Sequence, residues 1–138
     1  MHRTRLAIGL ALFLFGMSFL WFTPAFLGTA GRPPGEVWAV IEALVAVTVL
    51  ADTATGWAVH RGLTWWRRTA VVGAVTGAIV TVLWWIAVST VSAVPNVAAN
   101  IGVHWVGTWV LLGLAVLAPG ADRPLGAGLY PPPREPGS

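Results

Sequence analysis

Apolar residues in this chain fall into four long runs: Leu6 to Phe26, Val37 to Val59, Thr69 to Val91, and Asn96 to Leu117. A helix needs about 20 mostly apolar residues to cross a bilayer, and each run meets that length. The connections "GTAGRPPGE", "HRGLTWWRR" and "VSAVPN" are short and carry turn chemistry. Short connections make successive helices antiparallel neighbours. The pattern therefore predicts an all-α integral membrane protein, four transmembrane helices in an up-down antiparallel bundle. Residues 1–118 form the transmembrane domain, and residues 119–138 a Pro/Gly-rich tail whose "PPP" fits an extended end. The run after "MHRTR" is long for a signal peptide and reads as the first span.

Composition supports the bilayer as solvent. Hydrophobic residues make up 57% of the chain and charged residues 9%, against roughly 25% charged in an ordinary globular protein. Cysteine is absent, which excludes thiolate chemistry and disulfides. All eight basic residues are arginines, and they sit at segment ends without forming a patch, so nucleic acid is not an expected partner. Arg3 and Arg5 precede the first span, Arg61, Arg67 and Arg68 separate the second and third, and Arg123 and Arg134 follow the fourth. Arg32 stands on the opposite side. The positive-inside rule thus predicts both termini and the middle loop in the cytoplasm, with Trp65 and Trp66 as an interfacial belt. Arginine without lysine, together with richness in Ala, Val, Gly and Trp, suggests a bacterial cytoplasmic (inner) membrane and a multi-pass protein there.

Polar residues inside the spans carry the candidate chemistry. Asn96, Asn100, His104 and Thr108 recur every four residues, a spacing that stacks side chains on one helix face. The second span holds Glu42 and Asp52, about 80° apart around the axis. Ionisable residues in membrane helices cost at least ~2.5–3.5 kcal/mol near the centre and usually face the bundle interior. By depth, Glu42, Asn100, His104, Trp85, Ser89, Ser18 and Trp21 share one slab in the outer half. We expect Glu42 and His104 to pair there as acid and base, with Asn100, Trp85, Ser89, Trp21, Ser18 and Trp38 contacting a hydrophobic small-molecule ligand. Asp52 lies deeper, either as a structural carboxylate bonded to threonines or reached by a snorkelling arginine, or as a second station on a proton path.

An acid and an imidazole in a low-dielectric, indole-lined pocket can move protons without a cofactor, so an isomerase- or cyclase-type acid–base enzyme is one reading. Another is a small proton-coupled transporter. Size and span count resemble those of small multidrug transporters, although that family places its key glutamate in the first span, which has no acidic residue here. A third reading is a non-catalytic accessory subunit. His60 and His104 lie at different depths and cannot share a haem; the slab holds too few ligands for a metal, and no P-loop or GxGxxG occurs. Gly73 and Gly77 form a small-xxx-small face for close packing, within the bundle or in a homo-oligomer.

Overall fold

The computed structural model describes residues 2–23, 37–89 and 97–117. Four helices are present: α1 (His2–Ser18), α2 (Val37–Arg61), α3 (Trp66–Ser89) and α4 (Val97–Leu117). α1 continues into a 3-10 turn, Phe19–Phe22. Each of the four is long and apolar enough to cross a membrane, and together they make a small multi-pass helical membrane protein. α1 and α3 begin a few residues earlier than the hydrophobic runs, taking in Arg3, Arg5, Arg67 and Arg68, because arginine is a good helix former whose stem tolerates the membrane edge. The connections "GTAGRPPGE" and "VSAVPN", Arg32 and the tail lie outside the described residues.

Neighbouring helices run antiparallel, and the contacts fix the order. Gly9 and Gly16 of α1 meet Gly56 and Asp52 of α2. Thr48 and Thr55 of α2 meet Thr76 and Thr69 of α3. Gly77 of α3 meets Thr108 of α4, and Gly107 of α4 meets Phe15 of α1. The bundle therefore closes on itself.

Its interior follows a seven-residue repeat. On α2 the buried positions Trp38, Ile41, Val45, Thr48, Asp52, Thr55 and Val59 advance by three and four, the spacing of left-handed helix packing. On α4, His104, Thr108, Leu111 and Ala115 do the same. The outward faces are apolar as well, as at Leu50, Trp57, Ile86, Val106 and Leu117. A lipid-facing surface has no reason to be polar, so polar residues gather inside.

The α2–α3 connection shows why the chain reverses where it does. Gly62 has a positive φ of 69°. Its N–H donates to the Val59 carbonyl at 3.1 Å, and the Leu63 N–H donates to the Ala58 carbonyl at 2.8 Å. This is the Schellman ending of a helix, and it uses a left-handed residue that glycine adopts without strain. Arg61 lies over the Trp57 ring and Arg67 over the Trp66 ring, with 5.4 Å and 5.5 Å from each guanidinium carbon to the ring centre. These pairs mark one end of the bundle as the cationic, indole-rich rim.

Candidate functional site

Two polar centres occupy the bundle interior, at different heights. The lower one, nearer the Arg61 end, is built around Asp52. Its side chain is wholly buried, at 0% exposure. Counting ~1.5 Å per residue, it lies about 22 Å along α2 from Val37 and about 14 Å from Arg61. Room for it comes from glycines on both flanking helices. A methyl added at Gly16 would meet the Asp52 Cβ at 2.6 Å, and one at Gly73 would collide with its carboxylate oxygen.

Above and below this socket, threonines zip α2 to α3. The Thr48 and Thr76 hydroxyls meet at 2.8 Å and the Thr55 and Thr69 hydroxyls at 2.9 Å. Their remaining partners are carbonyls one turn back: Leu44, Val72, Ala51 and Trp66. The hydroxyl hydrogens are thus committed along the seam. Neither oxygen of Asp52 has a hydrogen-bond partner among the described residues. The expectation that threonines satisfy this carboxylate is therefore corrected: they satisfy each other.

The upper centre is His104, 2% exposed. Its Nδ1 lies 2.7 Å from the Asn100 carbonyl oxygen and its Nε2 3.0 Å from the Ser18 hydroxyl oxygen. That hydroxyl also lies 2.6 Å from the Phe15 carbonyl. The ring is caged by Phe22, Phe19 and Phe15, with centroid separations of 4.4, 4.7 and 6.2 Å. The 3-10 turn makes this cage possible: three residues per turn bring Phe19 and Phe22 onto one side, both fully buried.

Of the residues expected from sequence to form one outer-half pocket, the structure brings together Ser18, His104 and the Asn100 backbone. Glu42 is placed differently. It is exposed on the outer face of α2, one residue past the buried Ile41. Both nitrogens of His104 are engaged by Ser18 and Asn100, so the expected Glu42–His104 pair is not what the ring makes. The reason is helical register: the repeat that buries Asp52 turns Glu42 about 80° away. Trp38 is buried in the core beside Ile41 and Val45. Trp21 is exposed. Ser89 is exposed and donates to the Ile86 carbonyl at 2.7 Å.

Trp85 is also exposed, and with Thr81, Val82, Ile101 and Trp105 it lines a shallow apolar groove of about 210 Å³ between α3 and α4. On its other side Trp105 borders a second groove of about 270 Å³ with Ala78, Ile79, Val82 and Leu83. Indoles therefore face the lipid side of the α3–α4 seam. Trp84, one residue away, points inward onto Phe22, with centroids 4.7 Å apart. The Gly73/Gly77 face is occupied inside the chain, by Asp52 and Ala51 and by Phe19 and Thr108, which removes it as a surface for a homo-oligomer.

Sequence reasoning passed over two parts of the site, a pair of glycines and a set of phenylalanines. Gly9 and Gly16 are seven residues apart, which is the repeat of the packing stripe. Phe15, Phe19 and Phe22 follow at helical spacing. Thr108 continues the ladder of His104; it is 2% exposed, and its hydroxyl has no hydrogen-bond partner among the described residues. No three His, Asp or Glu side chains converge as metal ligands among the described residues. No protein-family model matches this chain, and no curated protein or solved structure shows significant similarity to it.

Proposed function

We propose that this small multi-pass membrane protein is a proton-coupled carrier of hydrophobic aromatic cations, with Asp52 as its proton-exchange group. One observation carries the reading: a fully buried carboxyl, deep in an apolar bundle, with neither oxygen hydrogen-bonded. Leaving a charge in that place without a partner costs several kcal/mol, roughly the scale of breaking a buried ion pair. A proton supplies the missing partner, and its release recreates the cost. A group with these two states is suited to couple proton movement to a rearrangement of the helices around it. The threonine seam on either side is already satisfied by its own hydroxyls and carbonyls, so it leaves the proton to Asp52.

The groove of Trp85 and Trp105 suits the cargo. Its lining is apolar and aromatic, and indole faces attract cations as well as planar rings. Entry is from the lipid. The arginine distribution orients the carrier with both termini and the Arg61–Arg68 end in the cytoplasm.

The test is proton uptake by liposomes carrying an internal pH dye, with the membrane potential clamped and ethidium loaded inside. An external acid step should acidify wild-type vesicles well above empty ones, and Asp52→Asn should fall to the empty-vesicle rate while remaining folded. Wild-type flux in Asp52→Asn would overturn the proposal. So would a wild-type rate equal to that of empty vesicles. A variant that only melts earlier would point instead to an accessory subunit.

A further inference from the structure

The turn that joins α2 to α3 gathers positive charge that the described residues do not neutralise. Arg61 ends α2, and Arg67 and Arg68 stand in the first turn of α3. A helix start already carries partial positive charge, and acids are the residues that suit it. α3 has none in its first turn. Neither has α1, which brings Arg3 and Arg5 to the same end, since its Gly9 packs on Gly56 and His60 of α2. The two acids of the described residues, Asp52 and Glu42, lie about 14 Å and about 28 Å from Arg61 along α2. The tail adds Asp122 and Glu135 but also Arg123 and Arg134, so its side-chain charges cancel.

Packing brings two of these cations to one height on the lipid side. The hydroxyl pairs Thr48–Thr76 and Thr55–Thr69 fix a single antiparallel register, in which Trp57 stands opposite Arg67. Arg61 comes four residues after Trp57, yet its guanidinium carbon lies 5.4 Å from the centre of the Trp57 ring. The side chain thus folds back by a turn, which carries its charge to the level of Arg67 and Arg68. Trp57 is about 160° around α2 from the buried Thr55 and Val59, so it faces outward. Trp57, Arg61, Trp65 and Arg68 are all exposed. A guanidinium stacked by its flat face on an indole keeps its N–H donors around the edge, and a phosphate accepts two of them at once.

We infer that Arg61 and Arg68, with Trp57 and Trp65 beside them, bind the headgroup phosphate of an anionic phospholipid in the leaflet at the Arg61 end. Charge complementarity selects a lipid with net negative charge over a zwitterionic one. The wall next to the cations selects a lipid over a soluble anion. Leu50, two turns from Trp57 on the same face of α2, is 69% exposed, and Val72, one turn from Arg68 on α3, is 46% exposed. Acyl chains hanging from the phosphate run along this apolar surface, which a free phosphate leaves unused. The indoles sit where the chains meet the headgroup, the level that suits an amphipathic ring. The site depends on neither Asp52 nor the Trp85–Trp105 groove.

Native mass spectrometry of the full chain, released from micelles containing equal amounts of phosphatidylglycerol and phosphatidylcholine, decides this. Wild type should retain phosphatidylglycerol in clear excess. An arginine at an anionic headgroup contributes about fivefold to binding, so Arg61→Gln and Arg68→Gln should each weaken that retention about fivefold and the double variant about 25-fold. Phosphatidylcholine retention should not change. Arg123→Gln alters net charge equally but lies in the tail, and it should behave as wild type. Circular dichroism checks that each variant keeps its helices. Equal retention of the two lipids by wild type would overturn the site. So would a loss in Arg123→Gln matching that in Arg61→Gln, because net charge alone would then explain binding. Thermal protection by inorganic phosphate equal to that by phosphatidylglycerol would make the occupant a soluble anion and overturn the lipid.

Discussion

Replacing Gly73 by alanine drives a methyl group into the Asp52 carboxylate, and the cost follows from what that methyl meets. Its first obstacles are Oδ1 and, at 3.0 Å, Cγ of Asp52; the next neighbour, the Ala51 Cβ at 3.6 Å, is an ordinary contact. Overpacking of this kind typically costs 1–3 kcal/mol, so Gly73→Ala should be destabilised by about 2 kcal/mol. Removing the obstacle should remove the penalty. In an Asp52→Ala background the same methyl enters vacated space, and alanine is the better helix former by up to ~1 kcal/mol. The second substitution should then be neutral or stabilising, giving a coupling of about 2 kcal/mol in a double-mutant cycle. Gly16 supplies the control. There the obstacle is the Asp52 Cβ at 2.6 Å, which alanine retains, so Asp52→Ala should not rescue Gly16→Ala. The assay is reversible unfolding in mixed micelles followed by far-ultraviolet circular dichroism. A Gly73–Asp52 coupling below about 0.5 kcal/mol, the scatter expected of independent sites, would refute the socket.

Asp52→Leu replaces two unsatisfied oxygens by carbons of similar shape. It should raise unfolding stability by about 1–3 kcal/mol while abolishing proton uptake, and a loss of stability would contradict the unpaired state of the carboxyl. Trp105→Ala should weaken ethidium binding about tenfold, the effect of losing ~1–2 kcal/mol of ring and cation contact, with stability changed by no more than about 0.5 kcal/mol. Fluorescence titration in nanodiscs reads this, and unchanged binding would dismiss the groove. Gly62→Ala, at a φ of 69°, should cost about 1 kcal/mol in the same unfolding assay, where a neutral result would contradict the helix ending described here.

Much of the architecture was legible along the chain. Apolar runs of spanning length, separated by Gly- and Pro-rich connections, require helices, because the bilayer interior offers backbone amides no other partners. Short connections then leave few orders for four such helices. The polar residues that matter were also visible by type: Asp52, His104, Ser18 and Thr108 are conspicuous in apolar surroundings. What one dimension did not settle was rotation. In a soluble helix the polar face reveals the outside, but a lipid-facing surface is apolar too, and the hydrophobic pattern loses its direction. Glu42 and Asp52 were therefore equal candidates for the interior, and depth placed Glu42 near His104. Tertiary packing decided between them. The three-four spacing from Trp38 to Val59 carries Asp52 to the glycines of two neighbouring helices and turns Glu42 outward. The same packing brought Ser18 to His104 across 86 positions of sequence. Periodicity determines what a helix presents at each height, but only contact with its neighbours decides which meridian faces in.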